Sequence, residues 1–179
     1  MKEFKEIINE IETTGSQISD QEVSGLVNQI QQAKHIFVAG AGRSGLMIRA
    51  FANRLLHLGY SVSVVGEINS PHTKEGDLLL IASGSGETSS LINQAKTAKE
   101  NKVKIALITT NTTSTLGHLA DAYLIIPAHS KKDASQTLQP MGALFEQTSL
   151  LLFDSLVLYL MKQKNETNES MKKRHADLE

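Results

Sequence analysis

The chain of 179 residues contains no cysteine. That absence excludes disulfides, thiolate catalysis and any cysteine metal site, and gives no reading of the redox compartment. A charge imbalance is missing too: 18 Lys and Arg stand against 19 Asp and Glu, a formal net charge of −1. A near-neutral chain is a poor match for nucleic acid by bulk electrostatics. The most apolar stretch, Leu150 to Met161, carries Asp154. It falls short of the roughly 20 residues that span a bilayer, so no membrane is expected. The N-terminus, MKEFKEIINEIETTG, interleaves charge with Ile and Phe. It has no signal-peptide core, and a cytoplasmic protein is expected.

What is present is an ordinary globular mixture, 40% hydrophobic and 21% charged. The length suits one domain over residues 1–179. Phe4, Ile7, Ile8 and Ile11 predict an amphipathic helix over residues 2–12. A second helix, with Asp20 as its N-cap, carries Val23, Leu26, Val27 and Ile30 on one face. Short apolar runs at 35–39, 61–65, 77–82, 103–109 and 122–126 read as strands. Helices are expected over 43–58, 88–101 and 116–120. A polar loop covers 130–139, and Pro140 opens a long helix to about residue 162. The tail 163–179 is mostly polar. Alternating elements with continuously apolar strands mean a parallel sheet covered on both faces. The expected fold is therefore α/β: a three-layer αβα sandwich of five parallel strands, flavodoxin-like or Rossmann-like. Ligands of such sheets bind at the carboxyl ends of the strands.

Two of those ends carry glycine loops. Gly40-Ala-Gly42-Arg43-Ser44-Gly45 is formally a dinucleotide fingerprint, and Glu67 stands where a ribose-binding acid would. Ser83-Gly84-Ser85-Gly86-Glu87-Thr88 lies between a strand and a helix. Its glycines let the backbone approach an anion, helix-start N–H groups point at it, and three hydroxyls add donors. Without a lysine or a Walker pattern, this set fits a small phosphate monoester better than a triphosphate. The plainer reading is a turn with an N-cap.

Glu146 sits in the long helix. Gly142 and Ala143 share its face and leave room for a substrate. Leu144, Phe145 and Leu150 supply an apolar surround, the setting of a working general base. A solvated or dipole-stabilised glutamate fits the same residues. His35, His57, His118 and His129 read as structural or surface residues, and His72 falls in a strand-end loop near the presumed site. His175 lies in the charged tail and by itself reads as a frayed end. The apolar last helix and the first helix both have faces to hide, which fits a homo-oligomer with contacts from residues 1–32 and 163–179.

The two glycine loops together resemble the sugar-isomerase (SIS) domain. Gln139-Pro-Met-Gly-Ala-Leu-Phe-Glu-Gln-Thr148 and the terminal Arg174-His-Ala-Asp-Leu-Glu179 resemble the 6-phospho-3-hexuloisomerase family. Asn69-Ser70-Pro71-His72 departs from the Thr-Pro and small residue expected after the second strand. The resemblance implies interconversion of D-arabino-3-hexulose 6-phosphate and D-fructose 6-phosphate through a cis-enediol, within the ribulose monophosphate pathway. It makes Glu146 the base. It brings His175 over a neighbouring subunit's site, where it would aid ring opening or proton transfer. From the two loops themselves the candidate substrate-binding residues are Gly42, Arg43, Ser44, Ser83, Gly84, Ser85, Gly86 and Thr88; Arg43, at the ligand end of the sheet, would steady the enediolate or the ligand's charge, or stand as a surface cation. The resemblance further implies a homotetramer and a functional partner, 3-hexulose-6-phosphate synthase. No cofactor and no metal are expected. The competing readings are a pentose- or heptose-phosphate isomerase, a non-catalytic phosphosugar sensor, and a dinucleotide oxidoreductase.

Overall fold

The computed structural model describes residues 1–128 and 137–178. His129, most of the polar loop and Glu179 lie outside the described residues. Two helices open the chain, α1 (Lys2–Gly15) and α2 (Asp20–Gln32). Then come β1 (Ile36–Gly40), α3 (Gly42–His57), β2 (Val62–Val64), β3 (Leu78–Ala82), α4 (Ser89–Glu100), β4 (Lys104–Thr109), α5 (Thr115–Leu119) and β5 (Ala122–Ile125). A 3₁₀ turn (Pro140–Gly142) leads into α6 (Ala143–Lys164), and α7 (Asn168–Lys172) stiffens the tail.

All five strands run parallel in the order β2-β1-β3-β4-β5. Alternate strand residues face opposite layers. Ile36, Val38, Leu78, Leu80, Ala106 and Ile108 pack against α1, α2, α3 and α6. Phe37, Ala39, Leu79, Ile81, Ile105 and Leu107 pack against α4 and α5. This is the expected three-layer sandwich.

Local chemistry corrects several boundaries. The N-cap of α2 is Ser19, whose hydroxyl accepts from the Glu22 N–H; Asp20 is the first helical residue. Pro140 opens only the 3₁₀ turn, and the helix proper begins at Ala143. Between them Met141 (φ 61°) and Gly142 (φ 82°) take the left-handed conformation. For a residue with a side chain that costs on the order of 1–3 kcal/mol and persists only where the surroundings hold it. With the helix beginning at Ala143, Glu146 lies in the first turn of α6.

By length and apolar composition alone the segment Pro140–Lys164 is long enough to cross a membrane, a test that a buried core helix also passes. Here Leu144, Phe145, Leu152, Phe153, Leu156 and Leu160 are buried in the core, and Phe153 stacks on Phe51 of α3. The helix is not buried all round. Leu151, Leu158 and Tyr159 form an exposed stripe with Asp154 and Ser155.

Candidate active site

The three glycines of the first loop have different tasks. Gly42 has φ +56°, which turns β1 into α3. Gly40 and Gly45 let strand and helix touch: a Cβ on Gly45 would lie 2.6 Å from the Gly40 carbonyl oxygen. Because α3 packs so closely on β1, its first N–H groups open onto the carboxyl end of the sheet.

The second loop is held from β4. Thr110 Oγ1 donates to the Gly84 carbonyl at 2.8 Å, as does Thr109 Oγ1 at 3.1 Å. The Gly86 N–H donates to Ser83 Oγ at 3.2 Å. Glu87 turns away and accepts from the N–H and hydroxyl of Thr115, the first residue of α5, at 2.7 and 2.8 Å. Thr88 is the N-cap of α4, but its side chain makes no capping hydrogen bond. The plain turn-and-cap reading therefore leaves that hydroxyl unexplained.

Both loops and the start of α6 line one cavity of about 220 Å³. Gly42, Arg43, Ser44, Ser83, Gly84, Ser85, Thr88 and Glu146 all border it. Three helix N-termini, of α3, α4 and α6, converge there. Each carries unpaired N–H groups and the positive end of a helix dipole, a setting for a phosphate. The cavity is smaller than the roughly 300–1,000 Å³ of drug-sized sites, and so suits a monophosphate better than a dinucleotide.

Glu146 is buried, yet its Oε2 lies 2.8 Å from Arg43 Nη1. That contact is an ion pair without hydrogen-bond alignment, and no donor among the described residues is aimed at this oxygen. The surround is thus not wholly apolar, as the flanking sequence suggested. The guanidinium that faces the carboxylate comes from a segment a hundred residues earlier in the chain.

Two expected site residues fall elsewhere. Gly86 does not border the cavity; it is packed against α5, where a Cβ would lie 2.0 Å from Ser114 Oγ. His175 is exposed and stacks on His57, with ring centroids 5.1 Å apart. His57 ends α3, about 23 Å along that helix from the cavity of the same chain. Arg174 holds the tail there, donating to the His57 carbonyl at 2.8 Å and bidentately to Glu166 at 2.8 and 3.0 Å. His72 is exposed and off the cavity. Glu67, the acid that the dinucleotide reading needs, pairs with Arg49 at 2.9 Å and does not border the cavity. Sequence reasoning missed Thr110 and Leu91, and used Phe145 only as an apolar flank; all three line the cavity. Thr110 follows directly on a predicted strand end, the one signal that pointed to it.

A parallel sheet with two glycine loops, hydroxyls and a buried glutamate over its carboxyl end defines a sugar-phosphate-binding SIS protein. The chain belongs to the SIS domain family, whose model matches residues 29–153. Within it the chain is 45% identical to the 3-hexulose-6-phosphate isomerase of Bacillus subtilis, over 97% of this chain and 96% of that one. It is 42% identical to the enzyme of the same name from Mycobacterium gastri, over 96% and 87%. Among solved structures, a Methanococcus jannaschii protein inferred to be a 3-hexulose-6-phosphate isomerase superposes with a TM-score of 0.87 at 33% identity, over the whole of both chains.

Proposed function

We propose that this protein is a 6-phospho-3-hexuloisomerase: it interconverts D-arabino-3-hexulose 6-phosphate and D-fructose 6-phosphate, in the ribulose monophosphate pathway. The observation that carries the reading is the burial of Glu146 in the same cavity as the two anion-binding loops. The phosphate is bound by the Ser83, Ser85 and Thr88 hydroxyls and the N–H groups at the start of α4. The sugar extends toward Arg43, Ser44 and Glu146. Glu146 removes the C2 proton, the 2,3-enediol forms, and the proton returns to C3, so that the carbonyl moves from C3 to C2. Arg43 steadies the enediolate oxygen. Its present partner is the carboxylate itself, so both reacting groups stand within reach of one another.

His175 is too far from its own cavity to act there. It serves the cavity of a neighbouring subunit, in transfer of the hydroxyl proton or in ring opening. A homotetramer agrees with the exposed stripe on α6 and with exposed Phe4 and Ile8 on α1. The substrate is supplied by a 3-hexulose-6-phosphate synthase, and the setting is cytoplasmic.

The test couples the protein to such a synthase with formaldehyde and ribulose 5-phosphate, and measures fructose 6-phosphate. Product that requires this protein supports the reading. No product, with pentose and heptose phosphates offered in parallel and also unreacted, overturns it in favour of phosphosugar binding without chemistry.

A further inference from the structure

The start of α6 poses a question that the cavity alone does not answer. Met141 holds a left-handed conformation while 72% exposed, so its own burial does not hold it. Gly142, the N-cap of α6, gives the helix no side-chain cap. Yet Glu146, one turn on, must be aimed.

The anchor comes from the other end of the chain. Glu10, on α1, receives the two residues that precede Pro140. Its Oε1 accepts from the Leu138 N–H at 3.2 Å, and its Oε2 accepts from Gln139 Nε2 at 2.9 Å. Gln139 is only 4% exposed, and its Oε1 accepts in turn from Gln147 Nε2. Gln147 is the immediate neighbour of Glu146, about 100° around the helix. A chain of hydrogen bonds thus ties both sides of the strained turn to one carboxylate. With Gln147 drawn toward Gln139, Glu146 is turned into the cavity.

We infer that Glu10 is a positioning residue: through Gln139 and Gln147 it fixes the rotation of the first turn of α6, and with it the aim of Glu146. The inference rests on the reading of Glu146 as the base. Glu10 borders no part of the cavity. Its effect is therefore on the chemical step rather than on binding.

The decisive comparison is among Glu10→Ala, Glu10→Gln and Glu146→Gln in the coupled assay, with amide hydrogen exchange on residues 141–147. Glu10→Ala is expected to lower kcat about ten- to hundredfold, since a small misplacement of a reacting group has that effect. KM should stay within about twofold, because the phosphate loops are untouched. Exchange at residues 141–147 should quicken. Glu10→Gln should restore most of kcat: an amide accepts from the Leu138 N–H and donates to a reversed Gln139, and Gln147, reversed in turn, accepts from the Gln139 amide with its own oxygen. If Glu10→Ala fails to fold, Gln147→Ala breaks the chain at its half-buried last link and must show the same loss in kcat alone. A folded Glu10→Ala or Gln147→Ala with parental kcat, or with a loss only in KM, overturns the inference. With Glu146→Gln inactive, that result leaves the base reading intact. An active Glu146→Gln overturns the base reading itself, and this inference with it.

Discussion

Arg43 Nη1 and Glu146 Oε2 stand 2.8 Å apart over the carboxyl end of the sheet, one side chain half exposed and the other buried. The pair joins the first glycine loop to the last long helix. It gives the cavity a cation and a proton acceptor side by side, the two groups an enediolate reaction needs.

Glu146→Gln keeps the shape of the side chain and removes its proton acceptor. Turnover should fall by about a thousandfold, within the range for loss of a general base. The melting temperature should hardly move. Steady-state kinetics beside a thermal melt check both; a folded variant with parental turnover removes Glu146 from the mechanism.

Arg43→Ala should lower kcat/KM about a hundredfold, the usual scale for one lost donor to a developing oxyanion. Arg43→Lys should recover little of it, because an ammonium lacks the planar fork that spans two oxygens. If lysine restores full activity, charge alone is what Arg43 supplies.

His175 can be tested for action in a neighbouring subunit by mixing. His175→Ala and Glu146→Gln should each be nearly inactive. Co-refolded in equal amounts, they should recover activity, since some cavities then pair an intact Glu146 with a partner's intact histidine. No recovery in a mixed oligomer means that the two residues do not meet across subunits.

The tail clasp carries a pH dependence. Bidentate hydrogen bonds from Arg174, with Ser170 and the guanidinium charge, hold the Glu166 carboxyl down at about 2. Its folded value lies below its ordinary one, so the stabilisation is present above about 4.5 and is lost as pH falls toward 2. Glu166→Gln should loosen the tail at neutral pH. The difference from the parent, read as protease cleavage after Lys172 or Lys173, should persist at pH 5; a difference already gone there contradicts the clasp.

Two glycine-to-alanine changes should act in opposite directions. At Gly45 the new methyl meets the Gly40 backbone at 2.6 Å and nothing there can yield. The loss should be about 1–3 kcal/mol, with roughly 2–4 °C of melting temperature for each. At Gly25, in α2, no heavy atom lies within 4 Å of the added Cβ. That change should add about 0.5–1 kcal/mol by relieving the helix of glycine. Calorimetry on the two variants separates them.

The sequence determined what is local. Helical periodicity and short continuous apolar runs gave the element order, because a buried face or a buried strand is written within a few residues of itself. Glycine spacing marked both anion loops, because only glycine permits the turn at Gly42 and the close approach at Gly45. The Gln-Pro-Met-Gly start of the last helix singled out Glu146. Tertiary structure alone decided which distant groups meet. Gln139 and Glu10 are 129 positions apart, and Arg43 reaches Glu146 across a similar gap. No periodicity records such contacts. They depend on how far α3 and α6 approach and how each is turned about its axis. The same packing took Gly86 out of the cavity and set His175 at the far end of α3, two placements that spacing along the chain does not encode.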